Sequence, residues 1–115
     1  MMDARFLRNE MLWGKEGQAR LARAHVILFG LGGVGSYVAE CLARSGIGEL
    51  TLVDSDTVAL SNLNRQLEAL TSTVGIPKAE AVSRRIADIN PDAVLHPMEA
   101  LYSAESRARF FPEGC

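Results

Sequence analysis

The sequence predicts an α/β fold, a parallel sheet with flanking helices, because two buried-strand patterns are joined by a glycine turn and a helix. Residues 26–29 form an unbroken apolar run, which is typical of a strand buried on both faces of a parallel sheet. Residues 30–36 form the glycine turn that opens the helix, and residues 50–53 form a second short apolar strand. Residues 26–54 therefore predict a Rossmann-like βαβ unit.

The helix of this unit has a regular apolar pattern. Val34, Val38 and Leu42 recur every four residues, and Gly46 follows as a stop signal. We expect this stripe to face the core, with Cys41 beside it as a small buried residue.

Further elements are predicted on both sides of the unit. A helix is expected to begin at Pro77 and end before Pro91, with Glu80 able to pair with Arg84 one turn later. The apolar stripe of that helix is Ala79, Val82, Ile86 and Ile89, and the other predictions are a helix over residues 18–24, a short helix over 63–70, a strand over 93–96 and a last helix over 104–110 capped by Ser103.

The predicted elements divide the chain into two parts. Residues 1–25 are expected to form an N-terminal arm and helix, with the arm over 1–17, and residues 26–115 the N-terminal part of a doubly wound domain. Doubly wound sheets commonly contain about five or six strands, so the strands predicted here correspond to half of one. We therefore expect a truncated domain, or a sheet that strands of another chain complete.

Composition excludes several classes of protein. Of the 115 residues 48% are hydrophobic, and 12 Lys and Arg stand against 14 Asp and Glu, which is typical of one ordinary globular domain and not of a disordered chain. No apolar run approaches the roughly 18–20 residues of a membrane-spanning helix, and no secretory signal is visible. We expect a cytoplasmic protein with no membrane segment.

Metal chemistry is not indicated by the sequence. Cys41 and Cys115 belong to no Cys-x-x-Cys motif or Cys/His cluster, which argues against a zinc site and against a disulfide framework. His25 and His96 flank predicted strands and are interpreted as structural histidines. No metal-binding residue is predicted.

The glycine turn carries the first functional signal. Gly30, Gly32 and Gly35 satisfy the G-x-G-x-x-G pattern, with Gly33 in addition, after a strand and before a helix. Residues without side chains let backbone N–H groups approach phosphate oxygens, while the helix N-terminus presents its dipole to the same anion. The pattern predicts phosphate binding; the alternative is a tight turn that only packs helix against strand.

An acidic residue follows the second strand. Asp54 stands where a carboxylate can accept hydrogen bonds from ribose hydroxyls, and its alternative interpretation is a turn or capping aspartate. Asp56 fits a ligand contact and ordinary loop chemistry equally well. These residues predict a nucleotide ligand, and they suit NAD as well as ATP.

Two cations favour ATP. Arg65, in the loop over residues 61–66, and Lys78, at a helix start, both follow the carboxyl end of the second strand, the side on which open α/β sheets bind ligands. A cation at a helix start opposes the macrodipole, so Lys78 predicts an anion there, and Lys15 is the only other lysine. The alternative is that both cations are solvated surface charges.

Several segments together resemble one known family. Residues 30–36, 52–58, 61–66 and 75–78, in this order and spacing, resemble the ThiF/MoeB/HesA adenylyltransferases, which are relatives of ubiquitin-activating enzymes. Within that family, residues 44–48, 64–70 and 89–91 most resemble the bacterial tRNA threonylcarbamoyladenosine dehydratases. The resemblance covers nearly the whole chain but only the N-terminal half of a family member.

The resemblance implies an ATP site and assigns residues to it. The implied ATP-binding residues are Gly30, Gly32, Gly33, Gly35, Asp54, Asp56, Asn62, Arg65, Gln66 and Lys78, of which Arg65 and Lys78 are also implied to be catalytic. Arg8 resembles the family's arginine finger, a third catalytic residue that reaches into the site of the partner subunit in a homodimer. Mg²⁺ is implied too, on an aspartate that lies beyond residue 115.

The implied activity is ATP-dependent adenylation of a carboxylate, with the threonylcarbamoyl group of tRNA as substrate and ring closure as the next step. One alternative is a sulfur-carrier-protein adenylyltransferase of the thiamine or molybdopterin type, with a sulfur carrier or sulfurtransferase as partner. Others are an NAD-dependent oxidoreductase fragment and a non-catalytic nucleotide-binding module. Because the family's substrate-binding elements lie beyond Cys115, this chain alone is expected to be inactive.

Overall fold

The computed structural model describes residues 4–111 and contains one three-stranded sheet. Its helices are α1 (Leu7–Arg23), α2 (Gly35–Ser45), α3 (Lys78–Ile89) and α4 (Arg107–Phe110), its strands are β1 (His25–Phe29), β2 (Glu49–Asp54) and β3 (Val94–Glu99), and short 3₁₀ turns cover Ala4–Phe6, Leu60–Asn62 and Thr71–Thr73. The strands are parallel and lie in the order β1-β2-β3. The predicted α/β fold with a Rossmann-like parallel sheet is confirmed.

One face of the sheet is covered by α2 and α3. The residues buried between these layers are Leu31, Ala39, Ala43, Ile47, Leu50, Leu52, Ala79, Val82 and Ile86. The apolar stripe predicted for α3 therefore lies in this core, with Ile89 partly buried at its end. The ion pair predicted between Glu80 and Arg84 also forms on the outer face of α3, where Arg84 Nη2 lies 2.7 Å from Glu80 Oε1.

Most of the face predicted for α2 is wrong, since only Leu42 of its stripe packs against the core. Val34 and Val38 are 80% and 39% exposed, and Cys41 is exposed as well. The buried face of α2 instead carries Ser36, Ala39 and Ala43. Small side chains let a helix approach the layer beneath it closely, so the helix turns this narrow face inward and its larger apolar residues outward.

The loop between β2 and α3 contains no α-helix, so the helix predicted over residues 63–70 is wrong. Side chains there hold the backbone in turns: Asn62 Oδ1 accepts from Ala59 N at 2.8 Å, and Thr73 Oγ1 accepts from Leu70 N at 2.8 Å. Such local bonds compete with helix formation.

Three further boundaries differ from the prediction. Helix α1 begins at Leu7 and is kinked at Gly14 (φ 77°), so much of the predicted arm is helical. Strand β3 runs to Glu99, and α4 spans only Arg107–Phe110. The last helix is shortened because the Ser103 and Ser106 side chains each accept a hydrogen bond from the other residue's backbone N–H. Residues 1–3 of the arm and Cys115 lie outside the described residues.

No helix within residues 4–111 is both long and apolar enough to cross a membrane.

Asn90 joins the end of α3 to the end of α2. Its side chain is only 3% exposed, and its Nδ2 donates to Ile47 O at 3.1 Å and, more weakly, to Ala43 O at 3.5 Å. Ala43 lies in the last turn of α2, and Ile47 lies in the turn that leads from α2 into β2. Ala43 O also accepts from Gly46 N at 3.2 Å, so the Asn90 amide matters most as the donor to the Ile47 carbonyl.

We predict that Asn90→Ala lowers the free energy of unfolding by about 1–3 kcal/mol, because the buried carbonyl of Ile47 loses its donor. Urea unfolding measures the change. Asp88→Ala, an exposed substitution near the end of the same helix, is the control and should change stability by less than about 0.5 kcal/mol. Equal effects of the two substitutions would contradict the role given to Asn90.

Candidate functional site

The glycine turn leads from the carboxyl end of β1 into α2. Gly30 has φ 91°, a conformation that favours glycine, and its N–H donates to Val53 O at 2.8 Å. A Cβ atom on Gly35 would lie 2.0 Å from Gly30 O, so only glycine allows the helix to begin this close to the strand. Glycine is thus favoured at position 30 by the backbone conformation and at position 35 by packing, whether or not the two residues also contact phosphate.

Asp54 connects this turn to the end of β2. Its Oδ2 accepts from Leu31 N at 2.7 Å, and its Oδ1 accepts from Asp56 N at 2.8 Å. Asp54 therefore has the turn-stabilising role that was the alternative to ribose binding. Because each carboxylate oxygen can accept a second hydrogen bond, a ribose contact stays open to it. A cavity of about 190 Å³ lies beside it, lined in part by Gly30, Asp56 and Tyr102.

Arg65 and Gln66 lie over the glycine turn. A Cβ atom built on Gly33 would be 3.8 Å from Arg65 Cγ and Cδ, and one on Gly32 would be 3.8 Å from Gln66 Nε2. The Arg65 guanidinium donates only to neutral oxygens nearby, so within residues 4–111 it has no ion-pair partner. Buried Gln66 has no hydrogen-bond partner for its Oε1 in the same range.

Asn62 holds the loop that presents these two side chains. Besides the side-chain bond to Ala59 N, its carbonyl accepts from Arg65 N at 3.2 Å and from Gln66 N at 3.0 Å. Its side chain is 8% exposed. The structure thus gives Asn62 a clear part in shaping the loop, and its predicted contact with the ligand stays a prediction.

Lys78 is the first residue of α3 and lies near the carboxyl end of β2. Its backbone N–H donates to Asp56 O at 3.0 Å, which fixes the helix start against the loop after β2. The residue is only 7% exposed, and no carboxylate within residues 4–111 lies in salt-bridge distance of its ammonium. A buried charge without an ion-pair partner is costly, so this lysine favours a bound anion at the site.

Glu68 is buried near Lys78 and Asp54, and no sequence pattern indicated it. Its side chain is 1% exposed, and neither carboxylate oxygen has a hydrogen-bond partner among the described residues. Burial raises its pKa above the ordinary 4.5, while the positive charge of Lys78 partly opposes that rise. Arg85 does little to neutralise the Glu68 carboxylate, because the Arg85 guanidinium is paired with Glu40. A glutamate in a polar loop predicts an exposed side chain, which is why no pattern revealed it.

Arg8 is not brought to the glycine turn of its own chain. It lies exposed near the start of α1, and its neighbour Asn9 donates from Nδ2 to Arg44 O at 2.8 Å. Arg44 belongs to the last turn of α2, whereas the glycine turn precedes the first. Because α2 has 11 residues, the two ends are separated by about 15 Å.

Fold and site geometry define a Rossmann-like α/β protein with a glycine turn, covered by Arg65 and Gln66, at the carboxyl ends of its strands. Residues 6–113 match the model of the ThiF family. The chain belongs to the ThiF family.

Individual relatives agree with this assignment. The chain is 50% identical over 109 residues to the tRNA threonylcarbamoyladenosine dehydratase of Bacillus subtilis, covering 95% of this chain and 43% of that protein. It is 46% identical over 85 residues to the molybdopterin-synthase adenylyltransferase of Salmonella typhimurium, covering 74% of this chain and 34% of that protein. The chain thus spans less than half the length of these curated relatives.

Solved structures show the same likeness. The structure of the Escherichia coli tRNA N6-threonylcarbamoyladenosine dehydratase, TcdA, in complex with ATP superposes with a TM-score of 0.92 at 40% identity, covering 96% of this chain and 45% of that one. A structure of TcdA in complex with AMP gives the same score.

We predict that Glu68→Gln stabilises the protein increasingly as pH rises above about 4.5, the ordinary pKa of the carboxyl. In the wild type, folding at higher pH must either bury a carboxylate or retain its proton, whereas the amide has no charge to bury. The gain levels off once pH exceeds the raised pKa of the folded state. Urea unfolding from pH 4 to pH 8 measures the difference between the two proteins.

Glu99→Gln, which removes an exposed carboxyl from the end of β3, is the matched control. A Glu68→Gln difference that stays constant over this pH range would show that Glu68 is not the buried carboxyl described.

Proposed function

We propose that this chain is the ATP-binding part of an ATP-dependent adenylyltransferase. The single observation that carries the proposal is the placement of Lys78: it is buried, makes no ion pair within residues 4–111, and lies at the end of the sheet where Arg65 covers the glycine turn. A nucleotide triphosphate supplies the anion that these two cations lack. The likeness to a dehydratase solved with ATP supports ATP over NAD as that ligand.

In this proposal a substrate carboxylate attacks the α-phosphorus of Mg·ATP. A bond forms between carboxylate oxygen and phosphorus, the bond to the bridging oxygen breaks, and pyrophosphate leaves with the electron pair. Lys78 and Arg65 stabilise the negative charge that develops on the departing group, which is the main requirement of phosphoryl-type transfer. Backbone N–H groups around Gly33 hold the phosphates, and Asp54 accepts from the ribose.

The relatives named dehydratases favour the threonylcarbamoyl group of tRNA as the carboxylate substrate. Activation as an acyl adenylate makes AMP the leaving group, so that an internal nucleophile can close the ring. We place this reaction in the cytoplasm, where tRNA is modified. The 46% identity to a molybdopterin-synthase adenylyltransferase makes the carboxyl terminus of a sulfur-carrier protein the second candidate.

We further propose that two copies of the chain form a homodimer in which Arg8 reaches the partner's site. Within one chain Arg8 lies toward the opposite end of α2 from the glycine turn, so it cannot serve its own triphosphate. An exposed guanidinium on the first turn of α1 is free to serve a second copy.

We predict that ATP raises the thermal stability of the protein by mass action, that NAD does not, and that Lys78→Met weakens ATP binding by about tenfold or more. Methionine retains most of the buried stem and removes the charge. Lys15→Met is the matched control, because Lys15 is exposed on α1. Differential scanning fluorimetry against ligand concentration measures the effect. A rise with NAD alone would favour the oxidoreductase alternative.

We predict that Arg8→Ala weakens ATP binding only at protein concentrations at which the chain is dimeric. Isothermal titration at several protein concentrations, with sedimentation to define the dimer, measures this dependence. Arg23→Ala, an exposed substitution at the other end of α1, is the control. Unchanged affinity of the Arg8 variant in the dimer would remove Arg8 from the site.

A further inference from the structure

A second cluster of polar side chains lies at the opposite end of the sheet from the glycine turn. His25 and Glu49 are the first residues of β1 and β2 and are paired in register, and His96 of β3 pairs with Thr51 of β2. Residues alternate between faces along a strand, so these side chains share the face that α2 and α3 leave uncovered. Glu49 is about 16 Å along β2 from Asp54, which separates the cluster from the nucleotide side.

Glu49 stands between the two histidines. Its Oε2 lies 2.6 Å from His96 Nε2 and 3.8 Å from His25 Nδ1. One ligand-type atom from each of the three residues lies within 4.8 Å of the other two. The two imidazole rings are 5.8 Å apart between centroids and tilted by 47°, so they converge on the carboxylate without stacking.

Thr51 orients one of these ligands. His25 Nε2 lies 2.7 Å from Thr51 Oγ1, and Thr51 is 7% exposed. With Nε2–H donating to the hydroxyl, His25 Nδ1 carries the lone pair and faces Glu49. Metal-bound histidines are held in this way, by a hydrogen bond from the ring nitrogen that does not bind the metal.

We propose that His25, Glu49 and His96 form a binding site for a divalent transition metal, with Zn²⁺ the best-suited ion. Two imidazole nitrogens and one carboxylate are ligands that zinc accepts, whereas Mg²⁺ and Ca²⁺ favour oxygen ligands. In a tetrahedral zinc site neighbouring ligand atoms are about 3.4 Å apart. On binding, the 2.6 Å distance between His96 Nε2 and Glu49 Oε2 therefore lengthens, and the 3.8 Å distance between His25 Nδ1 and Glu49 Oε2 shortens. The site faces solvent, so a water molecule completes the coordination.

Metal bound here would connect all three strands at their amino ends. Each strand contributes one ligand, and strands β1 and β3 do not touch each other directly. Because the three ligands come together only in the folded sheet, the ion binds the folded chain in preference to the unfolded one and stabilises it. This property is independent of the nucleotide site and does not depend on the adenylation proposed above.

The test is titration of the purified chain with Co²⁺, which takes zinc positions and absorbs visible light, followed by competition with Zn²⁺. We expect one Co²⁺ per chain with the visible bands of tetrahedral coordination, no sulfur-to-metal charge-transfer band, and a higher melting temperature with Zn²⁺. His96→Gln and Glu49→Gln should each abolish that spectrum. Thr51→Val, which leaves all three ligands in place, should weaken binding by about 10–100-fold.

Glu99→Gln, an exposed substitution at the other end of β3, is the matched control and should bind like the wild type. Far-ultraviolet circular dichroism shows that each variant is folded. Undiminished binding by both ligand variants, a thiolate charge-transfer band that assigns the ion to cysteine, or no binding to the folded wild type would each overturn the proposal.

Discussion

The hydrogen bonds accepted by the Asp54 carboxylate are the constraint on which the candidate site depends. Oδ2 holds the glycine turn through Leu31 N, and Oδ1 holds the loop after β2 through Asp56 N. The carbonyl of Asp56 then accepts from Lys78 N at the start of α3. One side chain at the end of the central strand thus sets the relative positions of the glycine turn and Lys78. Any ligand contact that Asp54 makes is added to this structural role.

Ionisable side chains are buried around this point without forming ion pairs among the described residues. Lys78 and Glu68 are both nearly inaccessible, yet neither makes an ion pair among the described residues. Within residues 4–111 the Arg65 guanidinium donates only to neutral acceptors. An active site that stabilises developing charge needs dipoles and charges fixed in advance, and their cost is met by the stability of the surrounding fold. The α2–α3 core beneath the turn supplies that stability.

Much of the fold was predictable from the sequence because unbroken apolar runs and a regular stripe leave few alternatives for β1, β2 and α3. The buried face of α2 was not predictable from the sequence. The helix packs closely on the core through the small side chains of Ala39 and Ala43 and not through its larger apolar residues. Arg65, Gln66 and the glycines could be placed on one side of the sheet, since parallel strands share their carboxyl ends. Glu68 could not be identified, because burial of a loop glutamate depends on tertiary packing.

The direction of the parallel strands explains why the two ends of the sheet differ in chemistry. At the carboxyl ends Arg65 covers the glycine turn and Lys78 begins α3, so that end carries cationic side chains. At the amino ends Glu49 stands between two histidines, so that end offers lone pairs to a cation. The bonds of Asp54 and its neighbours do not extend to the amino ends. Because about 16 Å of β2 separates the sites, each can be altered by substitution without removing ligands from the other.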